Sequence, residues 1–323
     1  MVYIILDRKI LIISIINLFL AYKIYDYLKV EEKKIIKIPI VMNTSNEYIY
    51  QTIITLTSLS ENSNKENIYD INILIPKNFL IENRLKILQL ELVYRNINIK
   101  LIEGEKPYVK FDDYDSKYSK FFFHLLIPGF DRIIYINWDT IIFFDLEELF
   151  NINLEDNYFS GFLSDDNNRI YNNFNISLEK SINTNIMLIN TKKLSEDNKI
   201  EQFKNIYNKY KENEKMNEKV MINIIFKNET MIIPPKYGMP NFENVDLGLK
   251  YNEKIKEIYR YEKDEFISAF YKPFINVFIC KPWENGNKCK QRNKCKQSDA
   301  WWYYAKKSKY FNEIKEKYGK LFE

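Results

Sequence analysis

The sequence predicts an α/β domain built around a mostly parallel sheet, and three observations point to this fold class. Strand-like and helix-like segments alternate from residue 37 onward, an order typical of α/β proteins. Residues 132–137 form a continuous apolar strand, the type that a parallel sheet buries on both faces. A chain of 323 residues with 46% hydrophobic and 28% charged residues can also form a sizeable core. We therefore expect a folded domain.

Hydrophobic periodicity predicts the individual elements. The helix after the second strand carries Ile81, Leu85, Leu88 and Leu92 on one face, the spacing of an amphipathic helix. A helical, aromatic and Lys-rich tail ends the chain. The predicted strands are residues 37–43, 70–75, 97–102, 132–137, 158–163 and 185–190. The predicted helices are residues 47–59, 117–126, 146–150, 199–211, 218–226 and 301–323.

Composition excludes several function classes. The net charge of +4 is too small to suggest nucleic acid as the main partner. His124 is the single histidine, which excludes zinc sites built from several histidines. The three cysteines, Cys280, Cys289 and Cys295, form no C-x-x-C pair, so they are read as reduced thiols on a cytosolic side, with a Cys289–Cys295 disulfide as the alternative.

The two ends of the chain differ from the predicted domain. Residues 1–29 form an apolar helix and a possible membrane anchor; a short signal anchor, an interfacial helix and a helix packed on the main domain all remain open. Residues 286–323 form a basic, aromatic extension. Together these ends also allow a different class of protein, one that interacts with a membrane surface.

The end of the central strand carries the most informative motif. Asn137 and Asp139 follow the strand, and side chains two residues apart point the same way. Ligands of open α/β sheets bind at the carboxyl ends of the strands. Oxygen side chains at such a place suit Mg²⁺ or Mn²⁺ holding a diphosphate. Taken alone, the same tripeptide also fits a simple turn, since Asn and Asp both favour turns.

Further motifs surround this one in a fixed order. They are KIPIVMNTSNEY at residues 37–48, KFFFHLLIP at 120–128, DRIIYINWD at 131–139, DLEEL at 145–149, NTNIMLIN at 183–190, EKVMIN at 218–223, PPKY at 234–237 and KPW at 281–283. In this order they resemble the family 8 glycosyltransferases, the group that includes glycogenin and the bacterial lipopolysaccharide galactosyltransferases. The resemblance covers roughly residues 37–305.

The resemblance implies a fold and an activity. The fold would be a single GT-A domain over residues 37–285, with the N-terminal helix and the C-terminal helical extension attached. The activity would be retaining transfer of a hexose from a UDP-sugar to a glycan or lipid-linked acceptor, such as lipopolysaccharide or surface polysaccharide, with Mn²⁺ or Mg²⁺ as cofactor. Because nucleotide sugars are normally cytoplasmic in bacteria, the domain would lie in the cytoplasm or on the cytoplasmic face of the inner membrane.

The resemblance also assigns roles to single residues. Tyr48 would stack on the uracil, Lys281 would reach the diphosphate and Glu218 would orient the donor sugar. Asn183 would help to bind sugar, and His124 would donate to phosphate or sugar. The remaining assignments are Asn43, Thr44, Asn46 and Trp283 to the nucleotide sugar and Asp139, Asn137 and Asn276 to the metal.

The sequence departs from the family pattern at the metal site. Asn137 stands where the family has its first Asp, and no His precedes the KPW motif, so Asn276 is the nearest oxygen-bearing substitute. The protein charge on the metal would fall to −1, from Asp139 alone, which predicts weaker affinity for Mn²⁺. Two functions therefore stay open: a transferase with altered metal dependence, or a degenerate relative that binds nucleotide sugar or glycan without transfer.

Overall fold

The structure is a computed structural model of the chain, divided into two compact units, Met1–Ile35 and Ile36–Glu323. In the first unit the described residues are 17–21 and 23, which are helical, and Ile35, which is not. Among the residues that the structure describes, no helix has both the length and the apolar character required to cross a bilayer. The described residues are 17–21, 23, 35–103, 116–164, 171, 174, 181–197, 199–213, 215–240, 262–278, 282–283 and 296–319.

The second unit is built on two sheets. The described strands are β1 (Lys37–Asn43), β2 (Ile68–Ile75), β3 (Ile97–Glu103), β4 (Ile133–Ile136), β5 (Thr140–Ile142), β6 (Phe159–Leu163), β7 (Ile182–Ile189), β8 (Thr230–Ile232), β9 (Met239–Pro240) and β10 (Ile275–Val277). The large sheet has the order β3-β2-β1-β4-β7-β6-β8, and the small one has the order β5-β10-β9. The strands from β3 to β4 run parallel, and β7 is antiparallel to β4 and β6. The predicted mixed α/β fold with a mostly parallel sheet is confirmed.

Helices follow the strands in the alternation that the sequence predicts. The first of them begins at Ile49, two residues after its predicted start. The described helices are α1 (Ile49–Asn62), α2 (Ile81–Leu88), α3 (Leu90–Val93), α4 (Phe123–Leu126), α5 (Glu147–Phe150), α6 (Thr191–Asp197), α7 (Ile200–Tyr210), α8 (Glu218–Ile225), α9 (Lys263–Tyr271), α10 (Lys296–Lys307) and α11 (Phe311–Tyr318), with 3₁₀ segments at Ser116–Phe122 and Pro235–Tyr237.

Both faces of the large sheet are covered by apolar cores. Along β4, Ile134 and Ile136 enter one core, while Ile133 and Tyr135 enter the other. Side chains alternate between the faces of a strand, so a strand that is buried on both sides needs an uninterrupted apolar sequence. This is the physical reason for the continuous apolar segment at residues 132–137.

The C-terminal helices pack into one of these cores. Trp301, Tyr304 and Ile314 are buried there, among residues of β1 and α1. Asn62 on α1 donates a hydrogen bond to Tyr304 Oη at 2.6 Å, and Gln51 donates to Tyr318 Oη at 3.1 Å. The described part of the predicted extension is therefore an integral part of the second unit.

The apolar face of α2 and α3 does not enter a core. Ile87 and Leu90 are buried instead, whereas Ile81, Leu85 and Leu92 are exposed. The helical spacing is correct, but the face it marks points to solvent. Periodicity identifies a helix and its apolar face, and it does not say what covers that face.

Gly238 lies where no other residue fits. A methyl group at this position would overlap the ring of Phe162, which is buried and cannot move aside. We expect Gly238→Ala to lower the free energy of unfolding by about 1–3 kcal/mol, measured by urea denaturation. Gly319→Ala is the control, since a side chain there meets only the flexible Lys315. Equal stability of the two variants would contradict this reading of the contact.

Candidate functional site

The candidate site lies where β1 and β4 end side by side. Strand β2 pairs with one edge of β1 and β4 with the other, so the strand order reverses here. Such a switch point forms the ligand crevice of open α/β sheets. Asn43 ends β1, and Asn137 follows β4 directly. The structure therefore brings the predicted nucleotide loop and the predicted metal motif to one edge of the sheet.

Threonine hydroxyls hold the turn from Asn137 to Asp139. Thr140 Oγ1 donates to the carbonyl of Asn137 at 2.7 Å. From α1, Thr55 Oγ1 lies 2.8 Å from the carbonyl oxygens of both Trp138 and Thr140. The carboxylate of Asp139 is buried at this turn. These bonds fix the backbone of the turn that carries Asn137 and Asp139.

A buried ion pair lies beside this turn. Lys120 Nζ is 2.9 Å from Glu218 Oε2, and it donates to the carbonyl of Thr184 at 3.1 Å. The same ammonium lies 4.4 Å from the ring centroid of Tyr135, whose hydroxyl is 3.5 Å from Asn137 Oδ1. The side chains of the pair are only 9% and 12% exposed. The pair is neutral overall, and it holds the ammonium group in a fixed position next to Tyr135.

The surroundings keep this ammonium charged. Burial lowers the pKa of Lys120, but the charge of Glu218 and the interaction with Tyr135 outweigh it, and the pKa is raised. Burial raises the pKa of Tyr135 to about 12; Lys120 opposes this rise, and Glu218 and Asp139 add to it. At neutral pH the site therefore holds a cationic Lys120 and a neutral Tyr135.

Glu218 is positioned by the start of α8. Asn217 caps this helix through a hydrogen bond from the backbone N–H of Val220 to Asn217 Oδ1, at 3.0 Å. Asn223 fastens the helix to the sheet by accepting from the N–H of Ile182 at 2.7 Å and donating to its carbonyl at 3.0 Å. Glu218 also accepts from the backbone N–H of Lys120 at 2.9 Å. The carboxylate therefore has a defined place.

Asn183 lies on the neighbouring strand at the same edge. Its Oδ1 accepts from the backbone N–H of Asn185 at 2.9 Å, and the carbonyl of Asn185 accepts from the N–H of Asn137 at 2.8 Å. The Asn183 side chain is partly exposed. The predicted sugar-binding residue is thus one strand away from the metal motif.

Asn276 reaches the site through the small sheet. Strand β10 pairs with β5. Phe278 directly follows β10, and its backbone N–H donates to the carbonyl of Asp139 at 3.0 Å. Asn276 is fully buried, and within the described residues neither polar atom of its amide has a hydrogen-bond partner. A buried amide of this kind requires a partner such as a water or an ion.

The residues assigned to the metal carry oxygen donors of the chemical type that binds a hard divalent cation. Carboxylate and amide oxygens are the donors that Mg²⁺ and Mn²⁺ take, and Asp139, Asn137 and Asn276 supply them. In the described part of the chain, no cluster of three or more His, Cys, Asp and Glu residues could hold a metal. Asp139 is the one carboxylate of the predicted ligand set, and the assignment of these three residues to a metal stays a prediction.

Hydrogen bonds connect the end of β1 and the loop after it to neighbouring segments. Asn43 Nδ2 donates to Ser119 Oγ at 2.8 Å, and the hydroxyls of Thr44 and Thr52 lie 2.6 Å apart. Asn43 Oδ1 is buried and has no hydrogen-bond partner among the described residues, so it can accept from a ligand. Asn43 and Thr44 thus lie at the site, with one acceptor available.

Asn46 instead holds the start of α2. Its Oδ1 accepts from the backbone N–H of Leu80 at 2.9 Å and from Asn83 Nδ2 at 3.0 Å. Its Nδ2 donates to the carbonyl of Asn78 at 3.0 Å. Both polar atoms of the amide are thus hydrogen-bonded within the protein, and its assignment to the nucleotide stays a prediction.

Aromatic rings line the mouth of the site. Tyr48 stacks on Trp138 with the ring centroids 3.8 Å apart and an interplanar angle of 7°. Trp138 meets the edge of Trp283 at 6.0 Å, and Trp283 is buried against Trp301. One face of Tyr48 is therefore already covered, and a base could stack only on the outer face of the pair. Trp283 lies behind this pair.

The other assigned residues do not join the ion pair. His124 is buried in α4, and its Nδ1 has no hydrogen-bond partner among the described residues. Lys281 lies outside the described residues. The structure places Lys120, and not His124, beside Glu218. The roles assigned to His124 and Lys281 stay predictions.

His124 makes folding stability depend on pH. Burial lowers its pKa to about 4, against a smaller opposing effect of the Phe121 backbone. Between that value and about 6.5 the unfolded chain binds a proton that the folded chain does not, so the free energy of unfolding falls as the pH falls. We expect His124→Gln to remove about 2 kcal/mol of the loss between roughly pH 7 and pH 5, measured by urea denaturation. Equal losses in both proteins would contradict this assignment.

Sequence reasoning did not identify Lys120 as a site residue. A signal was present, because Lys120 directly precedes the apolar residues Phe121, Phe122 and Phe123 and lies one turn before His124. A lone charge in such a segment is either exposed or paired. Its partner Glu218 is distant in sequence, so the pair itself could not be predicted.

Comparison with known proteins places this geometry in a family. The family model described as glycosyl transferase family 8 matches residues 39–267. The bifunctional glycosyltransferase WbbM in its apo structure has a TM-score of 0.67 at 15% identity, over 87% of this chain and 51% of WbbM. The galactosyltransferase LgtC, in complex with donor and acceptor sugar analogues, has a TM-score of 0.61 at 14% identity, over 82% of this chain and 95% of LgtC.

A third solved structure agrees. The glycosyltransferase GlyE of Streptococcus pneumoniae TIGR4 in its apo form has a TM-score of 0.58 at 19% identity, over 83% of this chain and 60% of GlyE. No curated protein matches the sequence. The chain thus spans about half of WbbM and nearly all of LgtC. The identities are low, so these likenesses concern the fold, which is of the GT-A type. Since the family model covers most of the chain, the protein belongs to glycosyl transferase family 8.

Proposed function

We propose that the protein transfers a hexose from a UDP-sugar, with retention of configuration, to a glycan or lipid-linked acceptor such as lipopolysaccharide or surface polysaccharide. The observation that carries this proposal is the buried ammonium of Lys120, held by Glu218 at the edge where β1 and β4 end. A leaving nucleotide diphosphate develops negative charge, and a preorganised cation is the strongest means of stabilising that charge.

In this proposal each residue of the site has its own contact with the donor, with the metal or with Lys120. Lys120 would face the diphosphate, Asn43 Oδ1 would accept a hydrogen bond from the donor, and Asn183 would contact the sugar. Asp139, with Asn137 and Asn276, would hold Mn²⁺ or Mg²⁺. Such an ion, when bound, neutralises charge on the diphosphate. Glu218 keeps Lys120 in place and, through it, orients the donor side of the site. The domain would act in the cytoplasm or on the cytoplasmic face of the inner membrane.

The test is UDP release by the purified protein with a panel of UDP-sugars, in Mn²⁺, in Mg²⁺ and in EDTA. Release with one sugar, increased by adding acceptor, supports the transferase and identifies its donor. No release, together with calorimetric binding of UDP, would instead support a degenerate relative that binds without transfer. Neither release nor binding would overturn both functions and leave the family assignment intact.

Tyr48 provides a test of the nucleotide end of the site. We expect Tyr48→Ala to weaken UDP binding roughly 5-fold to 50-fold, because a base that stacks on an aromatic ring contributes about 1–3 kcal/mol. Tyr48→Phe keeps the ring and should bind UDP like the unchanged protein. Isothermal titration calorimetry measures both. Unchanged binding by Tyr48→Ala would place the base elsewhere.

A further inference from the structure

The apolar face of α2 and α3 is the largest departure from ordinary burial in the described structure. Ile81 is 75% exposed and Leu92 is 83% exposed. Soluble proteins rarely leave such a group of large aliphatic side chains together in water, and an exposed patch of this kind marks an interaction site. We call it the apolar patch; its members are Leu80, Ile81, Leu85, Leu88, Leu92 and Val93.

Contacts on the opposite side of the helices keep this patch outward. Ile87 and Leu90 are buried in the core beneath them. Asn83 Nδ2 donates to Asn46 Oδ1 at 3.0 Å, and Lys86 Nζ pairs with Glu313 Oε2 on α11 at 2.6 Å. Rotation of α2 that hid the patch would break all of these contacts. Its exposure is therefore a fixed property of the fold.

A segment with a net positive charge stands next to the patch: residues 296–319 hold six lysines against three acidic residues, Asp299, Glu313 and Glu316. Lys309 Nζ donates to Gln89 Oε1 at 2.9 Å, and Gln89 joins α2 to α3. Tyr310 Oη contacts the same Gln89 oxygen at 2.8 Å. Beyond this junction, α10 and α11 present further exposed lysines. They are Lys306, Lys315 and Lys317.

We propose that the apolar patch and the lysines of α10 and α11 form one surface that docks on an anionic lipid bilayer. Aliphatic side chains would enter the boundary between headgroups and acyl chains, and the ammonium groups would meet the anionic headgroups. A second copy of the chain, bound symmetrically through this face, would bring two sets of lysines to one interface, where like charges repel. The proposal rests on these elements and does not depend on the transferase reaction.

The first test is flotation of the full-length protein with phosphatidylcholine vesicles that contain or lack phosphatidylglycerol. We expect binding to the anionic vesicles and a loss of about tenfold or more in the triple variant Ile81→Gln, Leu85→Gln, Leu92→Gln. The control is Tyr271→Gln, which removes an exposed aromatic side chain outside the patch. Circular dichroism and thermal unfolding verify that each variant is folded. Equal flotation of the triple variant and the control would overturn the proposal.

A second test measures whether the apolar patch itself enters the bilayer, independently of other membrane contacts. An environment-sensitive fluorophore is attached at Leu85→Cys in protein whose cysteines, Cys280, Cys289 and Cys295, are replaced by Ser. We expect a blue shift on addition of anionic vesicles and none for the same label at Tyr271→Cys. The absence of a shift at position 85 would overturn the proposal even if the chain floats. A shift that grows with protein concentration without vesicles would also overturn it, in favour of self-association.

Discussion

Replacing Lys120 by Met is expected to reduce UDP-sugar turnover by about 100-fold to 1,000-fold, the usual loss when one preorganised charge-stabilising group is removed. The ammonium is buried, paired with Glu218 and held over Tyr135, so it cannot be replaced by solvent or by a neighbouring lysine. The same change leaves Glu218 as a buried charge without its partner. We therefore also expect a loss of about 3–5 kcal/mol in the free energy of unfolding.

A double variant separates the two effects of the Lys120 change. Lys120→Met with Glu218→Gln removes both buried charges and should recover most of the lost stability, while turnover stays low. Lys120→Arg keeps the charge and should recover part of the turnover. UDP release and urea denaturation are measured on the unchanged protein, on Lys120→Met, on Lys120→Arg and on the double variant. Together they separate the effect on turnover from the effect on stability. If the double variant recovered full turnover, Lys120 would be a structural residue and the proposed mechanism would be wrong.

Replacing Asp139 by Asn is expected to abolish stimulation of UDP release by Mn²⁺, a loss of about 100-fold or more. Asp139 is the only carboxylate of the proposed ligand set, and Asn keeps its size, so the change removes charge with little effect on packing. Asp131→Asn, an exposed residue at the other end of the same strand, is the matched control. Full Mn²⁺ stimulation in Asp139→Asn would show that the metal, if used, binds elsewhere.

The reverse change sharpens this prediction. Asn137→Asp adds the second carboxylate of the family pattern at a position that already lies on the turn held by Thr140. It should lower the Mn²⁺ concentration that gives half-maximal release, because each added charge strengthens the attraction to the cation. An unchanged Mn²⁺ requirement would mean that Asn137 does not face the metal.

Much of the fold could be predicted because its cause is local. The apolar segment at residues 132–137 predicts a strand covered on both faces, and β4 lies between two cores. The spacing of Ile81, Leu85, Leu88 and Leu92 predicts a helix here, which the structure divides at Gln89 into α2 and α3. That spacing could not show that the face would remain exposed, because coverage depends on which other elements reach it.

The candidate site, too, could be predicted only where its cause is local in the sequence. The sequence indicates Asn137 and Asp139 because strand ends carry ligands in this fold class. It could not reveal the stack of Tyr48 on Trp138 or the full burial of Asn276, which require distant segments to meet. His124 and Lys120 lie one turn apart, and sequence reasoning chose the histidine for its chemistry. The structure brings Lys120, and not His124, to Glu218.

By itself, the sequence determined the fold class, the family and the edge of the sheet where chemistry is expected. These depend on periodicity and on motif order, which local side-chain patterns record. Only the tertiary structure decided which cation pairs with Glu218, which aromatic rings are already paired and which apolar face stays in water. Each of these depends on residues far apart in the chain that come within a few ångströms of one another, and pairing and burial at that range set their charge and exposure.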